Sequence, residues 1–140
     1  MKVLIVDDSE ESIMVFSSFI KPFLNCDVAK DGKEAVDKFK SALINGVPYA
    51  LVLLDIVMPL MDGQEALKRM RQIEKKHKAK HTIIIMTTAV DAQSEIEKAL
   101  KNGKCTDYLN KPITRGKLLV KLHEHKLIPD GWWKSSVNPI

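Results

Sequence analysis

The segment Tyr49-Ala50-Leu51-Val52-Leu53-Leu54-Asp55 is an apolar run that ends in a carboxylate. A short apolar run without polar alternation is typical of a strand that is buried on both faces of a parallel sheet. Such a strand delivers Asp55 to the exposed tip of the sheet. Because a carboxylate costs free energy when it leaves water without a partner, this placement indicates a metal site or a chemical role for Asp55.

Short apolar runs and amphipathic segments alternate along the rest of the chain. The other strands are predicted at residues 3–6, 26–29, 82–86 and 107–109. A last helix is predicted to start at Thr114 and to run through Lys126, before Pro129-Asp130-Gly131 breaks it. Five strands that alternate with five helices make a doubly wound α/β domain, whose ligand site lies beyond the carboxyl ends of the strands.

Several helices carry start signals in the sequence. Ser9 and Asp91 are predicted N-caps, and Asp62 forms a start similar to a capping box with Glu65. The helix after Asp91 is predicted to bury one apolar face. This face consists of Ile96, Ala99 and Leu100.

The composition fits one globular domain, with 140 residues of which 45% are hydrophobic and 29% are charged. A formal net charge of +4 falls well short of a basic nucleic-acid binder. Cys26 and Cys105 belong to no Cys-x-x-Cys or Cys/His spacing, which predicts reduced thiols and argues against zinc. The first apolar run is too short for a signal peptide or a membrane span, so we expect a cytoplasmic chain without membrane insertion.

Five polar side chains are expected to converge at the carboxyl ends of the strands, namely Asp7, Asp8, Asp55, Thr88 and Lys111. At an effective dielectric constant of about 20, two carboxylates about 4 Å apart repel by roughly 4 kcal/mol, so a cation has to offset the repulsion. Oxygen donors without histidine suit Mg²⁺. The metal, the ammonium and the hydroxyl are the parts that phosphoryl transfer requires, with Asp55 as the predicted nucleophile.

Taken singly, the same residues have ordinary structural interpretations. Asp7 and Asp8 are typical caps of a first helix, Thr88 is a typical strand residue, and Lys111 is a typical surface lysine. Only their expected convergence with Asp55 favours a functional site.

Four segments resemble the signatures of the response-regulator receiver domain of two-component signalling. They are LIVDDS at 4–9, DIVMPLMDG at 55–63, MTTA at 86–89 and DYLNKP at 107–112. The resemblance covers nearly the whole chain up to the last helix, in the family's order and spacing. It implies a flavodoxin-like five-stranded parallel sheet in the order 2-1-3-4-5 with five flanking helices. The receiver domain is expected at 1–128, and a C-terminal tail with Trp132 and Trp133 at 129–140.

The resemblance also implies a phosphorylation site. Asp55 would accept a phosphoryl group from a phosphohistidine on a sensor histidine kinase or on a histidine phosphotransfer protein. Asp8, Asp55 and the carbonyl of Val57 would hold Mg²⁺, with Asp7 helping through water. Thr88 would contact the phosphoryl group.

A switch is implied next to this site. Lys111 would bind phosphoryl oxygens together with Thr88, and its peptide bond to Pro112 is expected to be cis. Tyr108 would turn inward as Thr88 moves. This movement would change the surface made by the fourth helix, the fifth strand and the fifth helix, through which a downstream protein would be contacted.

Three classes of function compete for these residues. A stand-alone receiver whose output is a protein contact is the favoured one. A metal-dependent phosphohydrolase that forms an aspartyl phosphate typically needs a second acid two residues after the nucleophile, where this chain has Val57. A flavin-binding module would need a phosphate cradle after the first strand, where this chain has Asp7-Asp8-Ser9-Glu10-Glu11. The residues after Leu127 are too few for a helix-turn-helix domain, so no direct DNA binding is expected.

Three further features of the sequence lead to separate expectations. Val57 and Val90 are apolar where many receivers carry polar or acidic groups that influence the attacking water, which predicts slow self-dephosphorylation. The lysine-rich run at 75–80 is interpreted as the solvated end of a helix rather than as a nucleic-acid contact. Trp132 and Trp133 fit equally well a partner contact or a tail that folds back on the domain.

Overall fold

In a computed structural model, the protein forms a five-stranded parallel sheet with helices on both faces. The structure describes residues 1–58, 60–88 and 93–134. The strands are β1 (Lys2–Val6), β2 (Asn25–Ala29), β3 (Leu51–Asp55), β4 (Ile83–Thr88) and β5 (Asp107–Asn110). The helices are α1 (Glu10–Ile20), α2 (Gly32–Ile44), α3 (Gly63–Lys76), α4 (Gln93–Lys98) and α5 (Arg115–Glu124).

The strand order is β2-β1-β3-β4-β5, and every neighbouring pair is parallel. The predicted doubly wound, flavodoxin-like fold with this order and five flanking helices is therefore confirmed. The predicted N-cap Asp91 and the apolar Val90 lie outside the described residues. Among the residues that are described, no helix has the length and apolar character needed to cross a bilayer.

The two faces of the sheet bury separate apolar clusters, because successive side chains of a strand point to opposite faces. Leu54 and Met86 lie in the cluster that packs against α2 and α3. Leu53 and Ile85 lie in the cluster that packs against α1 and α5. This division explains why the strand before Asp55 is apolar at every position.

Side-chain caps begin the helices that lead away from the carboxyl edge of the sheet. The Ser12 N–H donates to Ser9 Oγ at 3.2 Å, and the Glu65 N–H donates to Asp62 Oδ1 at 2.9 Å. The helix starts predicted at Ser9 and Asp62 are confirmed. These two caps fix the ends of the loops that carry Asp8 and Val57.

The predicted burial of Leu100 is wrong, since this side chain is 42% exposed. The turn Ala99–Gly103 that follows α4 is π-helical, and the N–H of Lys104 donates to the Ala99 carbonyl. A wider turn breaks the 3.6-residue spacing after Ala99. Ile96 and Ala99 are buried as predicted, whereas Leu100 faces solvent.

The predicted end of the last helix is also wrong. Helix α5 ends at Glu124, and Lys126 has a left-handed backbone with φ 61°. This turn directs Leu127 and Ile128 into the cluster between the sheet, α1 and α5, where both are buried. Burial of two large apolar side chains, at about 2 kcal/mol each, outweighs the last helical turn.

The residues after the core form a short 3-10 turn, Trp132–Lys134, that lies against the domain. Trp132 packs on the cluster between the sheet, α1 and α5, and the Arg115 guanidinium lies 5.9 Å from its ring centre. Trp133 contacts Trp132 edge to face and is itself exposed. Of the two alternatives for the tail, the contacts of Trp132 therefore support the one in which the tail folds back on the domain. The division of the chain at residue 128 stays a prediction.

Candidate functional site

Three aspartates lie side by side at the carboxyl ends of β1 and β3. One carboxylate oxygen of each of Asp7, Asp8 and Asp55 lies within 4.8 Å of the others. Asp7 and Asp55 are buried, and Asp8 is exposed. The register of the two strands pairs Val6 with Leu54, so the residues that follow them are neighbours. The structure thus brings together the three carboxylates that the sequence analysis selected.

Lys111 reaches this cluster from the loop after β5. Its Nζ lies 3.1 Å from Asp7 Oδ2 and 3.4 Å from Asp55 Oδ2. Its backbone N–H donates to the Thr88 carbonyl at 2.6 Å, and its peptide bond to Pro112 is cis. Burial opposes the charge of the ammonium, but the Asp55 and Asp7 carboxylates raise the pKa of Lys111 above its ordinary value.

The environment of Asp55 shifts the pKa of its carboxyl group. Burial raises the pKa of Asp55 to about 6, and the charge of Asp7 adds to the rise although the Lys111 ammonium opposes it. The Val57 N–H donates to Asp55 Oδ1 at 3.4 Å. Both carboxylate oxygens of Asp55 therefore face a donor. The two donors lower the pKa of Asp55 by less than the loss of hydrating water raises it.

The raised pKa of Asp55 predicts how stability depends on pH. The folded protein binds the proton of Asp55 more tightly than the unfolded chain does. The protonated Asp55 therefore contributes to the free energy of unfolding fully below pH 3.8, and this contribution is lost as pH rises through about 6. In metal-free buffer we expect Asp55→Asn to exceed the wild type in free energy of unfolding by up to about 3 kcal/mol at pH 8. The difference should shrink towards pH 4.5. Urea unfolding of both proteins across this range measures it, and a difference that does not change with pH would contradict the prediction.

Asp7 has a second contact that belongs to local structure. The Ser9 N–H donates to Asp7 Oδ1 at 2.9 Å, which holds the turn between β1 and α1. The other carboxylate oxygen of Asp7 faces Lys111. Asp7 therefore holds the turn before α1 and also belongs to the site, but the cap of α1 is Ser9 and not Asp7.

Thr88 and Tyr108 lie on one face of the sheet, and Thr88 ends β4 at the same edge as the carboxylate cluster. Thr88 ends β4 and is buried, and it follows Met86 on the face of α2 and α3. Tyr108 pairs with Met86 in the register and is half-buried against the same cluster. The two residues assigned to the switch are therefore close neighbours on the α2 and α3 face.

Val57 presents its backbone to the site and its side chain to solvent. Its N–H bonds to Asp55, while the side chain is 76% exposed. The loop that follows returns to the strand at Gly63, whose N–H donates to the Ile56 carbonyl at 2.7 Å. The loop therefore holds the backbone around Asp55 through Val57 and Gly63.

Thr87 is a site neighbour that the sequence analysis did not select. It pairs with Asp55 in the register of β3 and β4 and is buried. Strand alternation puts it on the same face as Ile85, which is the face of Asp55. Counting alternate positions along β4 could have found this residue, once the pairing with β3 was known.

A parallel sheet with an acidic cluster and a lysine at its carboxyl edge is the architecture of a receiver-type phosphoacceptor domain. The family model described as the response regulator receiver domain matches residues 3–123. The chain therefore belongs to the response-regulator receiver family of two-component phosphorelay signalling.

Relatives by sequence are components of two-component systems. "Hybrid signal transduction histidine kinase B" of Dictyostelium discoideum is 33% identical over an alignment 130 positions long, which covers 86% of this chain and 6% of the kinase. "Oxidative stress response two-component system protein SSK1" of Candida albicans is 29% identical over an alignment 165 positions long, which covers 94% of this chain and 24% of that protein. The chain thus spans a small part of the length of these relatives.

Solved structures give the same result. The Saccharomyces cerevisiae co-crystal of the histidine phosphotransfer protein Ypd1 and the receiver domain of Ssk1 matches with a TM-score of 0.78 and 29% identity, over 94% of both chains. The CheX-CheY-BeF3-Mg complex of Borrelia burgdorferi matches with a TM-score of 0.76 and 30% identity, over 90% of this chain and 89% of the other. Chemotaxis protein CheY4 of Vibrio cholerae matches with a TM-score of 0.73 and 28% identity, over 88% of this chain and 96% of the other.

Proposed function

We propose that this protein is a signalling switch in which Asp55 accepts a phosphoryl group from a phosphohistidine. The observation that carries the proposal is the Asp55 carboxylate, held 3.4 Å from the Lys111 ammonium inside a cluster of three aspartates. A buried nucleophile with a cation at this distance is equipped for transfer of an anionic group. Membership of the receiver family supports this role.

The transfer exchanges one bond to phosphorus for another. An Asp55 carboxylate oxygen forms the new P–O bond while the P–N bond of the donor breaks, and the electron pair of that bond returns to the imidazole nitrogen. No group is oxidised or reduced. Lys111 neutralises charge on the phosphoryl oxygens, and the Thr88 hydroxyl donates to one of them.

The carboxylate cluster fits a hard divalent cation. Its members offer only oxygen donors, and Mg²⁺ prefers such a set. In our proposal Asp8, Asp55 and the Val57 carbonyl hold Mg²⁺, and Asp7 assists through water. When bound, the ion supplies positive charge that offsets the carboxylates and the incoming phosphoryl group. The related Borrelia burgdorferi complex with Mg supports this choice of metal.

The donor in this proposal is a histidine phosphotransfer protein or a sensor histidine kinase. The likeness to an Ssk1 receiver domain that was crystallised with the phosphotransfer protein Ypd1 supports it. The downstream contact is proposed at α4, β5 and α5, where Tyr108 lies beside Thr88. A stand-alone arrangement, a cytoplasmic location and the absence of DNA binding and of membrane insertion stay predictions from the sequence.

Incubation with acetyl phosphate tests the proposed function. Wild-type protein is expected to gain one phosphoryl group in the presence of Mg²⁺, detected by intact mass, and to lose it in alkali as an acyl phosphate does. Addition of a chelator should prevent the labelling. Steady release of phosphate from many unrelated esters would instead favour the phosphohydrolase, and failure to form any adduct would contradict the switch.

The apolar residues Val57 and Val90, two positions after Asp55 and Thr88 in the sequence, predict a long phosphoryl lifetime. Val90→Glu is expected to shorten the lifetime by about tenfold or more, because a carboxylate there can take a proton from the attacking water. Val120→Glu is the control, since Val120 is an exposed residue of α5. Phosphate release from the labelled proteins after removal of the donor measures the lifetime. A wild-type lifetime equal to or shorter than that of Val90→Glu would exclude the idea.

A further inference from the structure

The hydroxyl of Thr87 is a buried polar group that no contact explains. The residue is 1% exposed, and its Oγ1 has no hydrogen-bond partner within the part of the chain that the structure describes. A buried donor left without an acceptor costs free energy, and native structures contain few of them. Because this hydroxyl is unpaired and its residue pairs in register with the reactive Asp55, we expect another state of the site to supply its hydrogen-bond acceptor.

The register gives the position of this hydroxyl. Thr87 pairs with Asp55 on one side and with Leu109 on the other. Paired residues of neighbouring parallel strands share a face, and the strands lie about 4.8 Å apart. Lys111 follows Leu109 by two residues and bonds to Asp55 on this same side. Thr87 therefore lies between the nucleophile Asp55 and Leu109, two residues before the lysine that contacts Asp55.

The donors that now face Asp55 are both accounted for. The Val57 N–H faces Oδ1, and the Lys111 ammonium faces Oδ2 while it also bonds to Asp7. When Oδ1 forms the bond to phosphorus, Oδ2 remains as the carbonyl oxygen of the acyl phosphate. Once Lys111 turns to the phosphoryl oxygens, Oδ2 keeps only the proposed Mg²⁺ contact and lacks a hydrogen-bond donor.

We propose that Thr87 is a positioning residue whose hydroxyl donates to the acyl oxygen of phosphorylated Asp55. The inference rests on the proposed function, because it needs the phosphoryl group on Asp55. The hydrogen bond forms only in the loaded state, so it shifts the equilibrium towards that state. Thr88 has a different role, since alternation along β4 puts it on the opposite face beside Tyr108.

Two substitutions of Thr87 separate this role from ordinary packing. Thr87→Val keeps the shape and removes the hydroxyl, whereas Thr87→Ser keeps the hydroxyl. The probe is trifluoroberyllate with Mg²⁺, a tetrahedral group that binds a carboxylate as a phosphoryl group would. We expect Thr87→Val to bind it about tenfold more weakly and Thr87→Ser to stay within about threefold of wild type, as measured by NMR titration.

Stability provides the second measurement. Without the probe, Thr87→Val is expected to unfold at a higher urea concentration than wild type, because the unpaired hydroxyl is gone. Its affinity for Mg²⁺ alone should be unchanged. A purely structural role would lower stability and affinity together, and that outcome would overturn the inference, as would equal trifluoroberyllate affinity in Thr87→Val and wild type. Failure of the wild type itself to bind the probe would overturn the proposed function and this inference with it.

Discussion

Asp55→Asn is expected to abolish phosphorylation by acetyl phosphate. The substitution keeps the shape of the side chain but replaces the nucleophilic carboxylate with a carboxamide, which does not attack phosphorus. Labelling should fall by roughly 10³-fold or more, the order found when an enzyme loses its nucleophile. Intact mass after incubation with acetyl phosphate and Mg²⁺ measures the result. Burial raises the pKa of Asp55, so the site disfavours the charged carboxylate and accommodates a neutral carboxamide. The variant should therefore remain folded at neutral pH.

A matched aspartate provides the control for Asp55→Asn. Asp62 caps α3 from the same loop, is exposed, and accepts the Glu65 N–H at 2.9 Å. Asparagine is as good an N-cap as aspartate, so Asp62→Asn should keep both stability and labelling close to wild type. If Asp55→Asn were labelled as well as Asp62→Asn, the phosphoryl group would belong to another residue and the proposal would fail.

Gly63→Ala is expected to destabilise the protein by about 3 kcal/mol or more and to slow labelling of Asp55. A Cβ at Gly63 would lie 2.2 Å from the Asp55 carbonyl oxygen and 2.7 Å from the Ile56 Cα. Both atoms belong to the backbone, which cannot move away as a flexible side chain would. Relief of the clash requires a shift of the strand end that carries the nucleophile, so stability and phosphorylation should fall together.

The control for Gly63→Ala is the same substitution in α5. A Cβ at Gly116 would meet nothing within 4 Å, so Gly116→Ala should stabilise the helix by about 0.5–1 kcal/mol. Urea unfolding followed by circular dichroism gives both stabilities, and acetyl phosphate labelling gives the effect on the site. A Gly63→Ala protein whose urea-unfolding midpoint equals that of wild type would contradict the prediction, because the loop could then move away from β3 without loss of stability.

The parallel sheet and the helix starts at Ser9 and Asp62 followed from local patterns, whereas the order of the strands came from the resemblance to receiver domains. Continuous apolar runs can bury both faces only inside a parallel sheet covered by helices, and a side chain that caps a helix acts within one turn. The proximity of Asp7, Asp55 and Lys111 followed as well, because parallel strands end at a common edge. These features depend on residues that are close in sequence or on the geometry that all such sheets share.

Other features depended on contacts between distant parts of the chain. The buried carboxylate of Glu74 directly precedes the lysine-rich run at 75–80, and it accepts hydrogen bonds from the Thr82 N–H at 2.6 Å and from Arg71 Nη1–H at 2.8 Å. Helix α5 ends early because Leu127 and Ile128 find a place in the core. The unpaired hydroxyl of Thr87 became apparent only from the pairing of β4 with β3. In each case the environment is set by which side chains tertiary packing brings alongside, and the periodicity of one segment contains no information about its neighbours across the sheet.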